Sequence, residues 1–409
     1  MKYAIVIPDG CADEAQPALQ GKTPLEAANT PNMDRLAQMG MVGRANNVPA
    51  QLTPASDVAT LSLFGYDPLE VYTGRAPLET AAMGIRLGPE DWAIRCNLVF
   101  VEDGRMRDFT AGHIDNDTGK QLIEALQNSL AGPAMLSVPE AVRKRLEFYP
   151  GVSYRNILVY RGDGGATFDA TTKTQPPHDI PDQAIDGFLP KGSGSELLRN
   201  LMEFSREVFR DHPANKSRIQ AGKKPATQVW LWGQGKAPVL KPFADRFGKR
   251  AAIISAVDLV RGVGVLLGWK RIDVPGATGY LDTDYAAKGK AAVAALAEHD
   301  LVCVHVEAPD EASHEGRLDA KITALEEIDR HIVGPLLEAL PRYGKWRMLV
   351  EPDHRTPLRT RAHAHGEVPF VWAGTGIDPG GFGSYSEIVA EKSKLVFDPG
   401  HRLMQQFLA

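Results

Sequence analysis

Four short stretches of the chain carry residue types able to do chemistry together: SDVATLSLFGYDP (56–68), APDEASHEG (308–316), EPDHRTP (351–357) and TRAHAHGEVPF (360–370). Asp310 and His314 stand four residues apart. On a helical turn that spacing points both side chains to one face, as two ligands of one metal require. Asp353 and His354 are adjacent, a carboxylate and an imidazole that can address different ions. His363 and His365 precede a Val-Pro-Phe strand start, and either can complete the set. Mixed Asp and His ligands without thiolates favour Mn²⁺, Mg²⁺ or Zn²⁺. Ser56 follows the turn signal Thr53-Pro54 and opens an apolar run, which reads as a helix N-terminus. It is either an N-cap, contributing about 1 kcal/mol, or a nucleophile placed where backbone N–H groups favour a phosphoryl group. A serine beside two ions suits phosphoryl transfer, because one ion lowers the hydroxyl's pKa and both neutralise the phosphoryl oxygens.

These residues need a scaffold that brings distant stretches to one rim. KYAIVIP (2–8), LVCVHVEAP (301–309) and RMLVEP (347–352) are continuously apolar, the pattern of strands buried in a parallel sheet. They run into Asp9, Asp310 and Asp353-His354, so these groups converge where doubly wound sheets bind ligands, outside the carboxyl ends of the strands. KITALEEIDRHIVGPLLEAL (321–340) repeats Ile322, Leu325, Ile328, Ile332 and Leu336 at helical spacing, with a kink expected at Gly334-Pro335. Strand, helix and strand in that order predict a right-handed βαβ unit. The middle differs. A hairpin about Glu102-Asp103-Gly104, a helix over 119–130 and a strand over 154–162 suggest a small α+β module, with the Pro/Gly/Ser-rich stretch 174–195 as its return linker. The expected fold is α/β: a doubly wound, mostly parallel sheet over residues 1–85 and 190–409, with an inserted smaller α+β cap domain over 86–189.

Composition narrows the class. The 409 residues are 43% hydrophobic and 24% charged, with a net charge of −5 and no block of like charges. Nothing there points to nucleic acid or a membrane surface as partner. No apolar run reaches the roughly 18 residues of a membrane span, and MKYAIVIPDG is not a signal peptide. Cys11, Cys96 and Cys303 are too scattered for a disulfide framework. A soluble, cytoplasmic protein is expected. Gly233-Gln234-Gly235-Lys236 lacks the rest of a nucleotide loop, and Gly262-Val263-Gly264 lacks the third glycine of a dinucleotide fingerprint.

Taken together, PDG, TPNMDRLAQMG, SDVATLSLFGYDP, YTGRAPLE, APDEASH and EPDHRTP resemble the cofactor-independent (2,3-bisphosphoglycerate-independent) phosphoglycerate mutases of the archaeal type, within the alkaline phosphatase superfamily. The resemblance extends to NLVFVEDGRMRDFTAGH, PPHDI and GATGYLDTDY, and so over most of the chain. It implies an isomerase of glycolysis and gluconeogenesis with two divalent ions, Mn²⁺ first among them. Ser56 would become phosphoserine; Asp9, Ser56, Asp353 and His354 would surround one ion; Asp310, His314 and His363 (or its rival His365) the other. His113, Arg155, His178 and Asp179 match family positions in the cap, where substrate is held. In the core, Arg75, Arg218 and Lys288 are further candidates. The family has glycine where Ser313 and Ala76 stand, and other residues in place of His365-Gly366-Glu367, departures that leave the metal ligands intact. The alternative is a metal-dependent phosphatase or phosphotransferase acting on another small alcohol such as homoserine. A third, non-catalytic reading is a binding protein on the same scaffold, which would carry no tightly bound ion.

Overall fold

The computed structural model of the chain describes residues 1–132, 138–162 and 167–409. Strands β1 (Lys2–Pro8) and β2 (Met41–Ala45) come first. They are followed by β3 (Trp92–Glu102), β4 (Arg105–Asp108), β5 (Leu146–Val152), β6 (Arg155–Tyr160) and β7 (Gln228–Lys236). The last six are β8 (Ala251–Ile254), β9 (Lys270–Arg271), β10 (Leu301–Val306), β11 (Trp346–Val350), β12 (Val368–Gly374) and β13 (Val396–Phe397). The chain forms two compact units, Met1–Tyr72 with Val239–Ala409, and Thr73–Pro238.

The first unit is built on an eight-stranded sheet in the order β13-β2-β12-β11-β1-β10-β8-β9. From β11 through β9 all neighbours are parallel, while β12 runs antiparallel to both β11 and β2. Tyr3 to Pro8 and Leu301 to Val306 are buried without a break. Successive side chains in a strand point to opposite faces, so such runs require cover on both. The expected strand–helix–strand unit is present, but β10 and β11 do not pair with each other: each pairs with β1, which lies between them.

The helix between them runs over Leu318–Ile328 and Gly334–Ala339, joined by a π-turn at Asp329–Val333. Pro335 has no N–H to offer and its ring displaces the carbonyl four residues back, that of His331, which explains the irregularity. The helix Tyr285–Ala295 approaches at this point: a Cβ on Gly289 would sit 1.9 Å from the His331 carbonyl oxygen, so only glycine fits. Ala324, Leu325, Ile328, Ile332 and Leu336 lie in the resulting core, while Ile322 is only half-buried.

The second unit is antiparallel. Strand β3 pairs with β6 on one side and β7 on the other, β5 pairs with β6, and β4 folds back from β3. The hairpin expected about Glu102-Asp103-Gly104 is present; its turn is Asp103-Gly104, with φ of 50° and 68°, the left-handed pair that a two-residue loop requires. Helices Asn116–Ser129 and Ser195–Arg210 cover the sheet, joining Leu122, Ile123 and Leu126 to Leu198, Leu201 and Met202 in one core. The unit therefore runs over 73–238 instead of the expected 86–189. Because β7 completes its sheet and Ser195–Arg210 its core, the chain does not return to the first unit at 190. The Pro/Gly-rich stretch 174–195 forms turns inside this unit, at Pro177–Asp179 and Ile185–Phe188.

One buried ion pair locks the loops at the carboxyl edge of the first sheet. Lys321 Nζ lies 2.7 Å from Asp13 Oδ2, both side chains being fully buried, and donates to the Thr356 carbonyl at 3.1 Å. Asp13 also accepts backbone N–H groups from Glu14 and Leu358. Removing one partner strands the other charge without water, so Lys321→Met should lower the unfolding free energy by about 3–5 kcal/mol. Urea denaturation checks this, and Asp13→Asn in the Lys321→Met background should recover part of the loss.

Candidate functional site

Past the end of β1, the chain turns through Asp9-Gly10, and past β11 it turns through Asp353-His354. Both aspartates are divided by partner. Asp353 Oδ1 accepts the backbone N–H groups of Gly10 (3.2 Å) and His354 (2.9 Å), while its Oδ2 is buried without a partner. Asp9 Oδ2 lies 2.7 Å from His305 Nε2, and its Oδ1 is likewise buried and unpartnered. His354 Nε2 stands 3.4 Å from Asp353 Oδ2, 3.6 Å from Asp9 Oδ1 and 3.2 Å from Ser56 Oγ. Ligands bound at ~2.1 Å in a tetrahedron are separated by roughly 3.4 Å, so the spacing suits one shared cation. Gly10 is required here: its φ is +59°, and a Cβ would lie 2.2 Å from Asp310 Oδ1.

Ser56 does not cap its helix. Helix Ser56–Leu63 has Ala55 at the cap position with no side-chain cap bond, and Ser56 is its first residue, 8% exposed. Its hydroxyl faces His354, which leaves it available as a nucleophile.

The second set sits beside the first. Asp310 and His314 lie on helix Ala308–Glu315, one turn apart, with Asp310 Oδ2 to His314 Nε2 at 2.9 Å. His363 Nε2 is 3.0 Å from His314 Nε2 and 3.4 Å from Asp310 Oδ2. His365 instead points its Nε2 to the Leu52 carbonyl at 2.9 Å, away from these groups. The rings of His354 and His363 are 4.1 Å apart, so the two sets adjoin.

All three inner histidines are oriented from behind. His314 donates Nδ1–H to the Arg361 carbonyl (2.9 Å), and His363 donates Nδ1–H to the Pro54 carbonyl (3.3 Å). A carbonyl only accepts, so each ring keeps its Nε2 lone pair for the site. His354 Nδ1 meets the Thr356 hydroxyl at 3.2 Å. Electrostatics agree with a site that lacks positive charge. Burial, and then Asp353, push the Asp9 carboxyl well above its usual range. Burial likewise raises Asp310, but His314 and His363 outweigh it and hold that carboxyl low, while Asp310 pushes His314 up to about 9. Carboxylate oxygens and imidazole nitrogens facing inward, two of the oxygens orphaned, fit divalent ions, whose binding would displace the protons that Asp310 now draws onto His314.

Behind Asp9 lies a group that composition and spacing do not single out. Burial pushes His305 down to about 4, so the ring is neutral; it donates Nε2–H to Asp9, and its Nδ1 is 3.1 Å from Ser255 Oγ. Glu307 adjoins both, its Oε2 3.7 Å from His305 Nε2, and burial raises its carboxyl to about 8. Lys288 is fully buried on helix Tyr285–Ala295, and among the described residues Nζ has no hydrogen-bond partner. Burial lowers it to about 8, opposed by Glu307. The one sequence signal for His305 was a polar residue inside the apolar run LVCVHV.

The remaining candidates lie in the unit 73–238, and this places Arg75 and Arg218 there and not in the core where they were expected. Arg218 is buried, and its guanidinium is taken up by the carbonyls of Lys224 (2.9 Å), Ala111 (2.7 Å) and Gly112 (3.4 Å) and by Asp115. It therefore braces a loop. That loop carries three successive left-handed residues, Ala111, Gly112 and His113, with φ of 49°, 69° and 47°. Arg218 holds the two carbonyls that precede His113, and the His113 N–H donates to Thr110 Oγ1 at 2.9 Å. His178 packs edge-on against Trp232 and Phe109, with Asp179 3.7 Å away. Burial lowers its pKa; Asp179 opposes this, and Arg95, Arg75 and Arg155 lower it further, so three guanidinium groups act on this ring. Arg95 was missed by sequence reading. It lies buried in β3 with Nε 2.8 Å from Glu79 and its guanidinium 4.0 Å over Trp232. Arg155 is exposed, against Tyr154.

Comparison with known proteins follows the same lines. Residues 37–215 match the family described as 2,3-bisphosphoglycerate-independent phosphoglycerate mutase. The chain is 46% identical to a Geobacter sulfurreducens protein named a probable member, over 100% of both chains. It is 45% identical to the corresponding Methanothrix thermoacetophila protein, again over 100% of both. Among solved structures, a Pyrococcus horikoshii protein is similar with a TM-score of 0.82 at 28% identity, over 100% of this chain and 96% of that one. The cofactor-independent phosphoglycerate mutase of Thermoplasma acidophilum, 24% identical over 100% of both chains with a TM-score of 0.69, shares the fold.

The unpaired ammonium of Lys288 has a measurable signature. Its folded pKa, about 8, is below the ordinary 10.5, so between these values the unfolded chain binds more protons and stability from this group rises with pH. Lys288→Met should be more stable than the parent at pH 7 by about 1–3 kcal/mol. The difference should shrink between pH 8 and 10.5. Denaturant melts across that range check it; a pH-independent difference would mean the ammonium is already compensated.

Proposed function

The chain belongs to the 2,3-bisphosphoglycerate-independent phosphoglycerate mutases, and on that premise we propose that Ser56 carries the phosphoryl group between the two hydroxyls of glycerate, interconverting 3-phosphoglycerate and 2-phosphoglycerate. The observation that carries this reading is the Ser56 hydroxyl, buried at a helix N-terminus 3.2 Å from His354 Nε2 and uninvolved in capping.

Asp9, Asp353 and His354, with Ser56, would hold one divalent ion, and Asp310, His314 and His363 the other. The orphaned Asp9 Oδ1 and Asp353 Oδ2 and the three inward Nε2 atoms support that assignment. Mn²⁺ is the first choice for this oxygen and nitrogen set, ahead of Mg²⁺ and Zn²⁺. When bound, such ions supply Lewis acidity that lowers the serine pKa and neutralises the phosphoryl oxygens.

The protein's own groups do the rest. Ser56 Oγ attacks the phosphorus of 3-phosphoglycerate, and the bond to the C3 oxygen breaks as that oxygen regains a proton. Backbone N–H groups at the start of helix Ser56–Leu63 point toward the transferred phosphoryl. Glycerate then presents its C2 hydroxyl to the phosphoserine; the C2 oxygen loses its proton and bonds to phosphorus as the Ser56 Oγ–phosphorus bond breaks and Oγ regains a proton. Substrate anions need cationic partners, and Arg75, Arg95 and Arg155 of the unit 73–238 are assigned to them, with His113, His178 and Asp179 assigned to proton handling. Bidentate arginine suits the planar carboxylate. Arg218 is assigned to positioning His113, and Lys288 to the charge balance behind Asp9. Water must be kept from the phosphoserine while glycerate turns, or the outcome is hydrolysis.

The test is ³¹P NMR of 3-phosphoglycerate with the Mn²⁺-loaded protein and no added 2,3-bisphosphoglycerate. A 2-phosphoglycerate resonance that disappears with excess EDTA is expected, whereas release of inorganic phosphate in its place would make the protein a phosphatase. Ser56→Ala should keep fold and bound metal yet lose turnover by about 10⁴-fold or more. It should also lose the acid-stable phosphoprotein, and residual turnover above a few per cent would remove Ser56 from the role.

A further inference from the structure

Thr356 stands two residues beyond His354, and its hydroxyl touches one ligand from each set. Its Oγ1 lies 2.5 Å from Asp310 Oδ1 and 3.2 Å from His354 Nδ1. A carboxylate only accepts, so the hydroxyl hydrogen goes to Asp310, and the oxygen is left to accept Nδ1–H from His354. One hydroxyl thus fixes two things at once. It holds Oδ1 of Asp310, leaving Oδ2 to face His314 and His363. It also fixes the His354 tautomer whose Nε2 lone pair faces Asp9, Asp353 and Ser56.

The hydroxyl has little freedom to do otherwise. Thr356 is fully buried, its N–H donates to the Ala12 carbonyl at 3.2 Å, and its carbonyl accepts from Lys321 Nζ at 3.1 Å. Gly10 lies so close that a Cβ there would be 2.6 Å from Oγ1. Backbone and side chain are held from independent directions, which is the arrangement of an outer group that orients ligands.

We propose that Thr356 is a positioning residue that couples the two ion sites, so that an ion held by Asp310 orders His354 for the second ion, and the reverse. This rests on the two-ion reading above. The coupling is reciprocal: whatever factor the first ion adds to the affinity for the second, the second adds to the first.

The test is stepwise Mn²⁺ binding to the metal-free full chain, read by equilibrium dialysis with elemental analysis and by the free-Mn²⁺ electron paramagnetic resonance signal. The parent should take two ions with positive cooperativity. Thr356→Val, which keeps the shape and removes the hydroxyl, should weaken both steps by about 10–100-fold and abolish cooperativity, while Thr356→Ser restores it. A metal-free melting temperature within a few degrees of the parent separates this from a folding defect. Asp310→Asn supplies an independent arm: it should weaken the remaining site in the parent but change it no further in the Thr356→Val background. Wild-type affinity and cooperativity in Thr356→Val, or no effect of Asp310→Asn on the remaining site, would overturn the coupling and leave the two-ion reading intact. A parent that binds fewer than two ions would bring down both.

Discussion

Crowding of buried negative charge at one edge of a sheet is the constraint around which this protein is organised. Asp9, Asp310, Asp353, Glu307 and Glu351 are gathered near the carboxyl ends of β1, β10 and β11. Left as ions in a dry interior they would repel one another and forfeit hydration, a burden of several kcal/mol for each uncompensated group. The surroundings answer in three ways. Backbone N–H groups hold Asp353, histidines hold Asp9 and Asp310, and two glutamates move toward the neutral form, Glu351 rising to about 8 under burial despite a bond from Asn47. What remains is a residual demand for cations, met when divalent ions are present.

The sheet is arranged to make that crowding unavoidable. With β1 parallel to β10 on one side and β11 on the other, three carboxyl ends face one way, and the next few residues of each strand arrive together. The outer layer is rigid for the same reason. Lys321 reaches Asp13 and the Thr356 carbonyl, and the Leu358 N–H reaches Asp13. A buried network of this kind fixes the orientation of the side chains it holds. The unit 73–238 shows the opposite sign. There, positive groups are brought together and His178 is discouraged from protonation, a setting suited to polyanionic substrates.

Much of this was legible in the amino-acid order, and the divide between what was and what was not is physical. Strand-end aspartates after continuous apolar runs, and the Asp310/His314 spacing, are local signals, so the strands and the paired ligand geometry could be read directly. The choice between His363 and His365 is not local: it turns on whether the ring faces the Pro54 or the Leu52 carbonyl, some 310 positions earlier. The same holds for His305, whose partner Asp9 is 296 residues away, and for Arg218, whose partner, the Ala111 carbonyl, is 107 residues away. The unit boundary was misplaced because Pro and Gly mark turns wherever they fall, including the turns inside a unit. Pairing between β3 and β7 leaves no such mark.

The central place of β1 also bears on how the chain is made. It is made long before either of its partners, Tyr3 pairing with Leu301 and Lys2 with Trp346. At synthesis rates of about 5–20 residues per second, roughly 15–60 seconds pass before either partner emerges. For that time Tyr3-Ala4-Ile5-Val6-Ile7 is an apolar edge with nothing to pair with, the kind of segment that invites strand addition by a stranger. Nascent chains of this protein thus carry an aggregation hazard in β1 through most of their synthesis, and a holding chaperone that grips this strand would protect them.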